Sequence, residues 1–152
     1  MSTIPAVRAA LKALLTTTLS SLNVQVIDGS PVAVTTLEGN VLVLGAMEGT
    51  RSAGSQNRIR TTTRNVPFGT SQDEYTIEII IGVSRSGPGE PTDVIETADD
   101  IYDAARTAIE NAVDPSGVVE MLPTGQFSIE PIADSNGRYV TLNFGVDVTA
   151  RD

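Results

Sequence analysis

The stretch that decides the fold is residues 73–84, DEYTIEIIIGVS. Apolar side chains occupy every second position from Tyr75 to Val83, and this period of two is typical of a β-strand with one face in the core. The run Ser86-Gly87-Pro88-Gly89 follows it and interrupts the pattern, because Gly and Pro favour turns. We therefore predict a long central strand that ends just before a new element begins.

Two segments with a helical period lie on either side of this strand. Residues 4–22 carry apolar side chains at steps of three and four, with Pro5 in the first turn and Asn23 as the predicted end. Residues 92–113 repeat this pattern, with acidic residues on the opposite side. Each helix has one apolar stripe that must be buried against another element, so we predict that both pack on the same face of a sheet.

Shorter apolar runs predict the rest of the sheet. Gly45 is expected to close one strand, residues 38–40 to form a turn, and Asn136-Gly137 to form a hairpin turn with positive φ. The order of elements predicts a single α+β domain over residues 1–152, with a mixed or antiparallel sheet and two amphipathic helices on one face. The remaining strand candidates are 24–27, 32–34, 41–44, 118–122, 126–132 and 140–148.

Residues 46–72 are polar and rich in Gly and Thr. So long a stretch without apparent structure is uncommon in a compact domain, and we predict a flexible, extended interaction arm. A disordered segment or a poorly patterned hairpin is the alternative. Its arginines are interpreted as protein contacts, with ordinary loop arginines or nucleic-acid contacts as alternatives. The residues predicted to contact other proteins are Arg51, Arg58, Arg60, Arg64 and Phe68.

Composition excludes most catalytic chemistry. The 152 residues include no Cys and no His, which removes thiolate ligands, the commonest metal ligand and the usual general base. We therefore predict no catalytic residue, no metal site and no cofactor. Carboxylates remain, but Asp99, Asp100 and Asp103 are interpreted as a solvated helix face. The net charge of −9 disfavours general binding to nucleic acid.

No apolar run approaches the roughly 20 residues that a membrane span requires, and the N-terminus does not read as a signal peptide. We expect a soluble protein made in the cytoplasm, without a membrane partner. Charge is unevenly distributed, since residues 49–72 carry four Arg and no acid whereas residues 90–114 carry eight acids and one Arg. Such asymmetry suits a subunit whose faces meet different partners.

The succession of pieces resembles the tail terminator, or tail completion, proteins of long-tailed bacteriophages. The resemblance covers nearly the whole chain and rests on order and spacing, because the individual motifs are short. In chain order the matching pieces are the striped helix to Leu22, VIDGSP at 26–31, VLVLG at 41–45, the strand 74–83 ending in Ser86-Gly87, ADDIYDAA at 98–105 and RYVTLNFGVDVTAR at 138–151.

This resemblance implies a virion protein without enzymatic activity. Such proteins form a ring, typically of six copies, on the head-proximal end of the tail tube. The implied partners are further copies of the chain, the tail tube protein and the head–tail connector, with DNA only passing through an acidic lumen. The alternatives are another head–tail joining or tail tube subunit and, from a different class, a carboxylate-dependent hydrolase.

Overall fold

The computed structural model describes residues 4–29, 39–53, 71–112 and 119–151, with the backbone alone for 51–53 and 71. Within these residues the chain forms two α-helices and five strands, and a turn of 3₁₀ helix at Ser20–Leu22 follows the first helix. The helices are α1 (Ile4–Thr18) and α2 (Thr92–Glu110), and the strands are β1 (Val24–Asp28), β2 (Gly39–Ala53), β3 (Ser71–Ser86), β4 (Val119–Ala133) and β5 (Gly137–Arg151).

The five strands form one mixed sheet in the order β1-β2-β3-β5-β4. β1 runs parallel to β2, and every other neighbouring pair is antiparallel. β3 is the central strand, as its alternating pattern predicts. We call the end of the sheet where β2 ends at Ala53 and β3 begins at Ser71 the distal end, and the end where β3 finishes at Ser86 the proximal end. The predicted α+β class is confirmed.

Both helices pack on the same face of the sheet, as predicted. Their apolar stripes and the inward side chains of β2, β3 and β5 form one continuous core. α1 lies beside β1, whereas α2 packs against β3, β5 and β4 as well as α1. The largest fully buried side chains of this core are Leu11, Leu15, Leu19, Leu42, Leu44, Ile77, Ile79, Ile81, Ile101, Ile109 and Leu142.

The end of the first helical segment follows the sequence prediction. Asn23 adopts a left-handed conformation with φ of 55° and donates its backbone N–H to the carbonyl of Ser20. Asn tolerates this conformation better than most residues, and it turns the chain directly into β1. Because α1 runs from the distal to the proximal end and β1 returns beside it, the start of the helix lies near the distal end of the sheet.

β2 is much longer than predicted. Gly45 does not end it but begins a β-bulge, in which Gly45 and Ala46 lie opposite Glu78 alone. A Cβ on Gly45 would stand 3.3 Å from the carbonyl oxygen of Glu78, so the close approach favours glycine here. Residues 39–40, predicted as a turn, also belong to this strand.

The predicted arm at 46–72 is therefore wrong at both ends. Residues 46–53 belong to β2 and residues 71–72 to β3. The polar composition of residues 46–53 led to the wrong prediction. These residues extend β2 past the end of the short β1, and a strand at the sheet margin needs few apolar side chains. The remaining part of the arm, 54–70, and the strand candidate at 32–34 lie outside the described residues.

The C-terminal strands agree with the sequence except at two points. Residues 119–122 of the first candidate and 126–132 of the second form a single strand, β4, in which a bulge at Thr124–Gln126 lies opposite Gly145, and residue 118 lies outside the described residues. The hairpin turn does not use positive φ at either Asn136 or Gly137. Instead the Asp134 carboxylate accepts the backbone N–H groups of both residues, at 2.8 and 2.9 Å, which forms an Asx-type turn.

Candidate functional site

The structure describes only a small part of the site predicted from the sequence. Arg58, Arg60, Arg64 and Phe68 lie outside the described residues. The backbone of Arg51 is described, and it pairs with Asp73 across β2 and β3 near the distal end of the sheet. The predicted contact residues are thus not brought together within the described chain. Their role in binding stays a prediction.

A cavity of about 310 Å³ lies at the distal end, between the start of α1 and the extension of β2. Two of its polar residues are buried, since Asp73 is 2% exposed and Tyr75 is 7% exposed. The cavity lies at the margin of the sheet because β1 ends at Asp28, opposite Leu44, and flanks only the proximal part of β2. The lining residues are Ile4, Met47, Glu48, Gly49, Thr50, Asp73 and Tyr75.

Gly49 shapes the wall of this cavity. A Cβ built on Gly49 would stand 2.2 Å from the Glu74 carbonyl oxygen and 2.4 Å from the Tyr75 Cα, too close for any other residue. The missing side chain thus lets β2 and β3 approach closely just where the cavity opens. The sequence gives no hint of this role, because Gly49 falls in a stretch that reads as a polar loop.

The face of the sheet that carries neither α1 nor α2 has two different halves. In the proximal half Val41, Val43 and Ile80 form a small buried apolar cluster. In the distal half the cross-strand register brings five carboxylates onto the same face, with Arg151 at the distal rim. The five acidic residues are Glu48, Glu74, Glu78, Glu120 and Asp147.

This acidic half is ordered by short polar contacts, one between strands and one within β3. The Thr76 hydroxyl donates to the Asp147 carboxylate at 2.7 Å, and Gln72 donates to Glu74 at 2.8 Å. Threonines alternate with acids in the register, so the surface is mainly hydrophilic and negative, although the exposed Leu122 of β4 lies on the same face beside Asp147. The alternation of Glu74, Thr76 and Glu78 in the printed sequence is the signal that predicts this face.

β4 forms one margin of the sheet and carries the exposed large hydrophobic side chains of the described chain. Leu122 is 53%, Phe127 55% and Ile132 59% exposed. Phe127 touches the core only at its rim, with its ring centroid 5.5 Å from that of Tyr102 on α2. The register places Phe127 on the helix side of the sheet and Leu122 and Ile132 on the other face. Sequence reasoning missed this surface, since these residues read as ordinary strand positions.

The outer sides of the two helices differ in charge. α1 contains Arg8 and Lys12 and no acid, and its exposed positions include Ala6, Ala9 and Ala13. α2 exposes a row of carboxylates together with a single Arg106, which pairs with Glu110 at 3.0 Å. The exposed acids of α2 are Asp93, Glu96, Asp99, Asp100, Asp103 and Glu110.

Two arginines outside the predicted arm have structural roles. Arg138 binds Asp93 at the start of α2, with Nη2 to Oδ2 at 2.7 Å, and donates to the Gly87 carbonyl at 3.1 Å. It thereby fixes the connection from β3 to α2. Its hydrogen bonds are the main reason why the pKa of Asp93 lies below the ordinary value.

Arg8 plays the same part at the other margin of the sheet. It donates to the carbonyls of Leu44 and Gly45 at 2.7 and 2.9 Å and pairs with Asp28. These bonds attach α1 to the end of β1 and to the bulge of β2. The Arg8 side chain lowers the pKa of Asp28, chiefly through its hydrogen bonds.

Among the described residues, no group of three or more acidic side chains has the spacing to hold a metal ion. Neither helix in the described part of the chain is long and apolar enough to cross a membrane. No protein-family model and no curated protein matches the chain. The phage resemblance inferred from the sequence therefore remains a prediction, and the function rests on the surfaces described above.

Proposed function

We propose that this protein is a structural subunit of a ring that caps the head-proximal end of a phage tail tube. The ring ends polymerisation of the tube and offers a docking surface to the head connector. The proposal begins from the order of motifs in the sequence. The partners proposed for the protein are further copies of the chain, the tail tube protein and the connector.

One observation carries the proposal furthest, namely the acidic half of the sheet face that lies opposite the helices. Five carboxylates with interleaved threonines occupy a surface of four neighbouring strands. A ring with this face turned inward has a negative lumen, and like charge opposes binding of the DNA phosphates. DNA then passes through without being held.

Electron microscopy of the purified protein mixed with preformed tail tubes tests the proposal directly. We expect ring-shaped density at one end of each tube and no further growth when free tube protein is added. A protein that polymerises into tubes by itself would instead be a tail tube subunit. A protein that leaves tube ends bare and tube growth unchanged would refute the assignment.

Charge reversal tests the inward orientation separately. In the double variant Glu78→Lys, Glu120→Lys, the lumen gains positive charge, so we expect rings that retain DNA at low salt and release it as salt rises. The control is Glu90→Lys, an exposed residue in the connection between β3 and α2. Equal DNA retention by the control and the double variant would show that the acidic face does not line the passage.

A further inference from the structure

The two lateral margins of the molecule differ in a way that suits contact between copies. One margin consists of α2 and β4, and the other consists of α1, β1 and the extension of β2. We propose, resting on the ring proposed above, that the α2–β4 margin of one copy binds the α1–β2 margin of the next copy. The occupant of each margin is thus a second copy of this chain.

Charge complementarity is the first argument. Lys12 lies one helical turn after Arg8, which reaches Asp28 and β2, so Lys12 lies on the outer, β1 side of α1. Its influence on the pKa of Asp28 agrees with this position. On α2, Asp99 lies about 60° around the helix from Tyr102, the residue that touches Phe127 of β4. Lys12 and Asp99 therefore lie at opposite margins, each near the middle of its helix.

Apolar complementarity is the second argument. β4 presents Phe127, which is 55% exposed on the helix side of the sheet, and on that same side the opposite margin contains the cavity bordered by Ile4 and Met47. In the sheet register Phe127 lies in the cross-strand row of Phe144, Ile79 and Leu44, and the next row on the helix side contains Ile77 and Met47 of the cavity wall. A protruding side chain and a cavity at similar heights on opposite margins produce a head-to-tail contact, which closes into a ring when the rotation permits.

Continuation of the β-sheet from one copy to the next is not the form of this contact. β4 contains Pro123 and Pro131, which lack backbone N–H groups, and the bulge at 124–126 distorts its middle. Such features block pairing of edge strands. Twofold pairing of two α2–β4 margins is also disfavoured, since it brings the acidic rows of two α2 helices together. Side chains, rather than backbone ladders, thus make the contact.

The sequence offers a direct test, because Lys12 is the only lysine. A zero-length carbodiimide reagent joins a lysine amine to a carboxylate only when the two are in contact. Protein labelled with heavy nitrogen is mixed with unlabelled protein, and cross-linked peptides are identified by mass spectrometry. We expect isotopically mixed pairs that join Lys12 to Asp99 or Asp103. Peptides from the N-terminal amine have different masses and are separated.

One variant serves as a control, and a charge exchange tests the pair. Lys12→Arg keeps the charge without the amine, so we expect unchanged assembly and loss of the cross-link. Lys12→Glu and Asp99→Lys should each weaken association roughly tenfold, and the double exchange should restore most of it, because the pair is then reversed. Both residues are exposed, so the melting temperature should not change.

The outcomes separate this interface from the ring itself. A closed ring whose Lys12 is joined to other acids, or to none, overturns the interface and leaves the ring in place. If the double variant does not regain the association that each single variant loses, the interface is overturned as well. A protein that stays monomeric at high concentration and does not cap tubes overturns both the interface and the proposed function.

Discussion

At the scale of single residues, Gly49 leaves little room for change. A methyl group there overlaps backbone atoms of both Glu74 and Tyr75, so β2 and β3 must separate to accommodate it. We expect Gly49→Ala to lower the free energy of unfolding by about 1–3 kcal/mol, the usual cost of overpacking. Chemical denaturation measures this change.

Gly125 provides a matched control, because a Cβ there meets no atom within 4 Å and its φ is not positive. Gly125→Ala should be neutral or stabilise the protein by roughly 0.4–1 kcal/mol, since alanine restricts the unfolded chain. Equal losses in the two variants would show that the close approach of β2 and β3 is not what requires Gly49.

The Asp93–Arg138 pair makes stability depend on pH. The pKa of Asp93 in the folded protein lies below its ordinary value of 3.8, chiefly because Arg138 donates hydrogen bonds to it. The pair therefore stabilises the fold above that value, and its contribution is lost as pH falls through the folded pKa. Between about pH 5 and about pH 2, the melting temperature of the wild type should fall more than that of Asp93→Asn. Parallel curves would mean that the pair does not contribute.

At the scale of elements, α2 is held by burial rather than by its acidic side. Ile101 is fully buried in the core between the helices and the sheet. Ile101→Asp places an unpaired charge there, at a cost of several kcal/mol, against a typical total stability of about 5–15 kcal/mol. We expect loss of the cooperative melting transition, as followed by circular dichroism.

The control on the same helix is Thr107→Asp, whose side chain is exposed. It should shift stability by less than about 0.5 kcal/mol. If both variants melt alike, the assignment of the α2 face is wrong.

Elements with a complete periodic pattern were predictable from the sequence, and those at the margin of the sheet were not. One regular side of each of β3, β5, α1 and α2 is buried. The spacing of buried residues such as Ile79 and Leu142 is therefore enough to identify their strands. The outer part of β2 is half exposed and interrupted by a bulge, so Met47 and Gly49 lack the alternating neighbours that identify a strand. The exposure of the β4 side chains could not be predicted either, because strand periodicity does not indicate whether another element covers a side chain.

At the scale of the whole molecule, the arginines of residues 54–70 separate assembly from folding. Replacing Arg58, Arg60 and Arg64 by Ala should change the free energy of unfolding by less than about 0.5 kcal/mol if they contact other proteins. Binding to tail tubes should weaken, and the wild-type contact should be sensitive to salt, because exposed charges are screened over about 8–10 Å. Sedimentation with tubes measures this effect.

Arg51→Ala is made as a separate variant, since its backbone lies opposite the buried Asp73 and a change there reports on the fold. Unchanged tube binding and head joining by the triple variant would dismiss the three arginines as contacts. A large loss of stability in the triple variant would instead assign them to the folded domain.

The position of β5 between β3 and β4 has a kinetic consequence. Its ladder with β3 joins residues about 50–80 positions apart, whereas β4 and β5 are connected by a short turn. Closing so large a loop costs conformational entropy, which slows the pairing of β3 with β5. The β4–β5 hairpin and the β2–β3 unit should therefore form early and pair with each other late. Until they dock, the long side of β3 stays open to strands of other chains. The yield of native protein should therefore depend on how dilute the newly made chains are, well before any ring is assembled.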